Sequence, residues 1–113
     1  MILQYTLEKE VTTMNLKISA VCNNEESAKA LTEAGKQLGY EINCEVQEQN
    51  KIKNKLSNEN IKSSNAILFV TDKSVEDIEE IERFIDCEYY EVEPKFVIEN
   101  PINVINEIAK DLN

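Results

Sequence analysis

At 113 residues the chain has room for one domain built around a single core, and not for two. Apolar residues make up 42% of it and charged residues 30%, the balance of a globular protein. A net charge of −10 excludes the basic footprint needed to bind nucleic acid or an anionic membrane, and the absence of histidine removes imidazole catalysis and most zinc sites.

No apolar run approaches the ~20 residues of a membrane-spanning helix, and nothing reads as a signal peptide, so no membrane insertion and a cytoplasmic location are expected. Three widely spaced cysteines do not suggest a disulfide framework, which agrees with a reducing compartment. Residues 1–13, "MILQYTLEKEVTT", lack a clear period and precede Met14, after which a strand pattern starts at once. Lys9-Glu10-Val11 can be encoded by a purine-rich message resembling a ribosome-binding site. Residues 1–13 are therefore either an upstream extension before a native start at Met14, or an ordinary N-terminal strand or tail. The codons themselves decide between these. The domain proper is expected over 14–113.

From Leu16 to Val21, "LKISAV" has the apolar continuity of a buried strand. Asn23 and Asn24 can cap a helix whose first turn holds Glu25 and Glu26, where the helix dipole favours acids. Ala28, Leu31, Ala34, Gly35 and Leu38 recur at helical spacing, and Gly39 is a natural stop. In "YEINCEV", Tyr40, Ile42, Cys44 and Val46 alternate as one face of a strand. The polar stretch "QEQNKIKNKLS" then connects to a short helix from about Asn58 to Ser63. "AILFVT", Ala66–Thr71, carries no charge and predicts a central strand covered on both faces.

After a turn at Asp72, Lys73 and Ser74, the spacing of Val75, Ile78, Ile81 and Phe84 predicts a helix. Its acidic residues, Glu76, Glu79, Glu80 and Glu82, fall off the apolar stripe and read as a solvated face. "CEYYEV", Cys87–Val92, predicts a fourth strand. Asn100-Pro101 opens a last helix to about Leu112, with Ile102, Ile105, Ile108, Ala109 and Leu112 as its stripe. Strands separated by helices imply right-handed crossovers. The expected fold is α/β, a three-layer sandwich with a four-stranded parallel sheet of order 2-1-3-4 and helices on both faces. Ligands bind such sheets at the carboxyl ends of the strands. That places Cys22–Ser27, Gln47–Asn50, Thr71–Lys73 and Glu91–Glu93 at the candidate site.

The stretch "CEVQEQNKIKNKLSNENIKSSNAILFVTDKSVEDIEEIERF" resembles the fructose-type enzyme IIB domain of the bacterial phosphotransferase sugar-uptake system. Glu45-Val46-Gln47 stand where that family has the start of a Glu-Thr-Gln-Gly-Ser stretch. Asn54, Leu56 and Ser57 match the next part, Asp72 the end of the hydrophobic strand, and Glu82-Arg83-Phe84 a Glu-Arg-Phe. The register holds without gaps from about residue 41 to 77. "MNLKISAV" and "SAKALTEAGKQLGYEI" are similar to the family's first strand and helix, so the resemblance covers nearly everything after Met14.

The resemblance implies a cysteine at the end of the first strand that takes a phosphoryl group from an enzyme IIA-like donor. The group then passes to a sugar brought by a membrane enzyme IIC permease, with no further cofactor. Cys22 is the candidate nucleophile, and Asn23, Asn24, Glu25, Glu26 and Ser27 the candidate phosphate loop. Gln47, Thr71 and Asp72 are the candidate pocket or docking rim, and no metal is expected. The family's loop, roughly Cys-Pro-Thr-Gly-Ile-Ala-His-Thr, forms a nest of backbone amides around thiolate and phosphate. Here "CNNEES" has no proline, glycine, histidine or threonine, and the segment to Gly39 is about five residues shorter. Aligning the strand instead puts the family's cysteine near Asn24.

Two carboxylates within ~4 Å of a phosphoryl group would repel it by about 1 kcal/mol per unit pair in water and roughly 4 at an effective dielectric of 20. They would also raise the thiol pKa. Two readings of Cys22 follow: a phosphocysteine, or a small thiol at a strand end. The corresponding functions are a working or degenerate phosphotransferase component, and an inactive regulatory or protein-binding module on the same face. A flavodoxin-like binder of another small anion is a third. Cys44 reads as core packing, and Cys87 has no Cys-x-x-Cys partner for redox or metal work.

Overall fold

A computed structural model describes residues 16–113; the expectation for residues 1–13 lies outside them. The first strand, β1 (Lys17–Cys22), alternates as its sequence demands. Ile18, Ala20 and Cys22 point to one layer, while Ser19 and Val21 point to the other. Helix α1 (Glu25–Leu38) starts at Asn24, whose Oδ1 accepts the Ser27 N–H at 2.8 Å, and ends at Gly39 with φ 76°. Its Gly35 faces β2 (Glu41–Glu48) so closely that a Cβ there would lie 2.8 Å from Ile42 Cγ1.

The sheet has five strands, not four, and it is mixed rather than parallel throughout. Its order is β3-β2-β1-β4-β5, with β3 (Lys51–Lys53), β4 (Ala66–Val70) and β5 (Tyr89–Val92). The expected order of the parallel strands stands; the added one is antiparallel β3 on the outer edge of β2. The polar connection hid it because a two-residue hairpin needs two left-handed residues, and these are Gln49 (φ 53°) and Asn50 (φ 64°) with no glycine between the strands.

Helices α1, α3 (Pro94–Glu99) and α4 (Pro101–Leu112) cover one face of the sheet. Helix α2 (Asn58–Ser63) and the segment after β4 cover the other. Asn100 caps α4 through the Asn103 N–H, and Tyr90 ties β5 to it by a 2.6 Å hydrogen bond to Asp111. Among the described residues, no helix is long and apolar enough to cross a membrane.

The helix expected over residues 75–84 does not form. Two short 3-10 turns, Val75–Asp77 and Ile81–Phe84, stand in its place, separated by a break at which Glu80 takes φ 57°. The helical spacing of Val75, Ile78, Ile81 and Phe84 still serves packing, since Phe84 joins the core cluster that includes Ile67 and Phe69 and the other three pack against it. What overrides the helix is competition for its backbone: the Gln47 carboxamide takes both the N–H and the C=O of Glu79. Conversely, α3 adds a helix that the sequence reading does not include, although Pro94 at its first position is the same signal that announces α4.

Candidate functional site

The chain leaves β1 toward β2 on one side and returns to β4 on the other, so the carboxyl end of β1 lies at a topological switch point. A cleft of about 370 Å³ opens there. Val21 to Asn23, the β2–β3 hairpin, and parts of the chain from the end of β4 onward (Val70, Thr71, Lys73, Ser74 and Asp77 to Glu79) line it.

The loop between β1 and α1 is two residues long. The Asn23 N–H donates to the Val70 carbonyl at 3.0 Å, its carboxamide donates to Asp72 Oδ1 at 2.9 Å, and Asn24 donates to Asn23 Oδ1 at 3.3 Å while capping α1. These bonds pull the chain directly from strand into helix. Cys22 is the last residue of β1 and has 0% exposure, with its side chain in the layer under α1. A hydrogen bond to Cys44 and then burial hold its pKa above that of an ordinary thiol.

The other candidate residues divide. Asn23, Gln47 and Thr71 line the cleft with Cys22. Asp72 lines a neighbouring cavity with Phe96, and its carboxylate is joined to the loop through Asn23. Glu25 turns away to an ion pair with Lys53 of β3, which holds its carboxyl below the usual range. Glu26 is exposed. Ser27 is fully buried at the start of α1, and its Oγ has no hydrogen-bond partner among the described residues. The repulsion anticipated from two first-turn carboxylates is therefore reduced by one lysine from a strand the sequence did not announce.

Gln47 is a clasp as well as a lining residue. Its Oε1 accepts the Glu79 N–H at 2.9 Å and its Nε2 donates to the Glu79 carbonyl at 3.1 Å, as a neighbouring strand would. Beneath it, Glu45 (0% exposed) receives both arms of the Arg83 guanidinium, each at 2.9 Å. It also accepts the Leu56 N–H at 2.9 Å and the Gln47 carboxamide at 2.7 Å. Burial pushes the Glu45 pKa up, but Arg83, Gln47 and Leu56 together outweigh it and hold the group ionised, below the usual carboxylate range. Two matched stretches 38 residues apart in sequence thus meet in one buried pair. Alternation along β2 assigns Glu45 to the polar face and so conceals its burial; the charged residues of both matched stretches were the available signal.

Lys51 and Asp77 also line the cleft and fall outside the stretches that the sequence places there, whereas Lys73 lies within one of them, Thr71–Lys73. Among the described residues, no group of three or more Cys, Asp or Glu is arranged to hold a metal ion.

Strand order, switch point and short loop define a doubly wound α/β domain of the kind that handles small groups at the carboxyl ends of its strands. No protein-family model matches the sequence, and no curated protein matches it. Solved structures do. The enzyme IIB subunit of the phosphotransferase system from Escherichia coli K12 is 28% identical, with a TM-score of 0.77 over 88% of this chain and 95% of that one. A domain of the fructose-specific IIABC component from Borrelia burgdorferi is 32% identical, with a TM-score of 0.71 over 81% of this chain and 91% of that one. A domain of fruA from Bacillus subtilis is 31% identical, with a TM-score of 0.66 over 84% and 91%. The chain belongs to the family of fructose-type enzyme IIB domains of the phosphotransferase system.

Proposed function

We propose that this chain is an enzyme IIB-like component of a fructose-family sugar phosphotransferase system, degenerate in phosphoryl transfer, that works as a cytoplasmic regulatory or protein-binding module through the carboxyl-end face of its sheet. Its partners in kind are an enzyme IIA-like donor and a membrane enzyme IIC permease. The observation that carries this reading is the placement of Cys22: the thiol has 0% exposure beneath α1, while Asn24 occupies the helix entrance as its cap. Transfer requires a thiolate sulfur to attack the donor's phosphorus in line as the phosphorus–nitrogen bond breaks. A protonated thiol that has no exposed surface and is hydrogen-bonded to Cys44 offers no such approach, although its residue borders the cleft.

One observation favours the transferring alternative. The buried, unpartnered Oγ of Ser27 lies in the first turn of α1, where a phosphate would find both a donor and the positive end of the helix dipole.

Incubation with a phosphohistidine-bearing enzyme IIA-type donor, followed by intact-mass measurement, tests the proposal. The expected result is no phosphoryl adduct on the wild-type chain. An adduct that disappears in Cys22→Ser would overturn it and restore the chain as a phosphocarrier.

A further inference from the structure

A second cavity of about 370 Å³ opens at the same end of the sheet, between the end of β5 and α3. Val92 and Phe96 supply its apolar wall, Asp72, Glu91 and Glu93 its carboxylates, and Lys73 its only cation among the lining residues. Phe96 is 47% exposed although the next residue on the same helix, Val97, is completely buried. Phe96 therefore presents its ring to the cavity and to water rather than to the core.

Two of these lining groups already meet a cation from beside the cavity, Lys95, which is not itself part of the lining. The exposed Lys95 lays its ammonium 5.1 Å from the centroid of the Phe96 ring and 3.7 Å from Glu93 Oε1. One flexible lysine thus occupies, loosely, a seat made of a ring face and a carboxylate. A guanidinium fits such a seat better: it is planar, stacks on the ring, and can pair with a carboxylate through two parallel N–H groups. The surplus of carboxylates over lysine in the cavity, within a chain of net charge −10, adds charge complementarity to a basic occupant.

We propose that this cavity seats an arginine side chain from a basic segment of a partner protein, displacing Lys95 from the Phe96 ring. The proposal rests on the protein-binding reading above and gives that module the chemistry of its partner.

The test is a titration of the ¹⁵N-labelled full chain with an acetylated, amidated hexapeptide of alternating arginine and serine, beside the same peptide with citrulline in place of arginine. Citrulline keeps the shape and removes the charge. The expected result is saturable amide shifts concentrated at residues 71–73 and 91–96 with the arginine peptide alone. Affinity is expected to fall roughly twofold to fivefold in Phe96→Leu, the range of an exposed cation–π contact, and to fall again in Glu91→Gln. Phe96→Leu keeps the apolar bulk, so its effect isolates the ring face; unchanged melting temperatures confirm that each variant is folded.

Equal shifts with the citrulline peptide, shifts spread evenly over the acidic surface, or wild-type affinity in Phe96→Leu would each overturn the proposal. So would a failure to saturate. Any of these removes the arginine seat and leaves the phosphoryl-transfer question to its own mass measurement.

Discussion

Glu45 and Arg83 hold the site's floor to its wall. A carboxylate with no exposure is tolerable because four hydrogen bonds replace its water, two of them from one guanidinium. Removing one partner leaves the other charge buried, so Arg83→Ala is expected to cost about 3–5 kcal/mol in urea unfolding, and a joint exchange of both residues for leucine much less. The pair also sets an acid limit. The folded pKa of Glu45 lies below its unfolded value, so its contribution is fully present above the ordinary glutamate value of ~4.3 and is lost as pH falls through the folded value. Urea midpoints measured on a descending pH series should show this loss, and Glu45→Gln should lack that part of the pH dependence. Cys22 makes the opposite use of burial, which protects a thiol from reaction. With iodoacetamide under native conditions, the partly exposed Cys87 is expected to be alkylated while Cys22 reacts only on unfolding. Rapid native alkylation of Cys22 would contradict its placement in the core.

The segment from Val75 to Phe84 shows how an element yields to its neighbours. Its apolar spacing is helical and its residues pack where a helix would put them, yet Gln47 claims the backbone of Glu79 and Arg83 turns inward to Glu45. The remaining strain sits at Glu80, a non-glycine residue at φ 57°, stabilised by the Lys55 ion pair at 2.9 Å. Both ends of that pair are well exposed, so its loss costs little. Glu80→Gly is accordingly expected to raise stability by about 0.5–1 kcal/mol, because a left-handed residue with a Cβ costs roughly 1–2 kcal/mol and glycine returns part of this as entropy. A lower urea midpoint in this variant would show that the ion pair outweighs the strain.

Across the full sheet, the crossovers place every candidate residue at one end, and the charge distribution then decides what that end can meet. The cleft and its neighbouring cavity together carry six carboxylates against two lysines, a poor field for an incoming phosphoryl group and a good one for a cationic partner. The same excess acts on folding. With a net charge of −10, self-repulsion opposes the compact state at low ionic strength. Raising salt from about 0.01 M to 0.15 M shortens the screening length from roughly 30 Å to 8 Å, and the melting temperature is expected to rise. A fall over that range would mean that ion pairs such as Lys53–Glu25 dominate the balance instead.

The periodicities of this chain were enough to place its first helix, its four parallel strands and its last helix, because burying one face of each element imposes a spacing that survives in the residues themselves. The resemblance around Glu45 and Glu82-Arg83-Phe84 located the family as well. What periodicity could not supply was whatever depends on two distant segments competing for one backbone group or one charge. Hairpin strand β3 needed two left-handed residues without glycine, the 75–84 segment lost its helix to Gln47, and Glu45 became buried only when Arg83 arrived from 38 residues away. Cys22 belongs to the same class. Its place at a strand end is written in the sequence, but its enclosure beneath α1 depends on how the two-residue turn at Asn23 and Asn24 is tied to Val70 and Asp72.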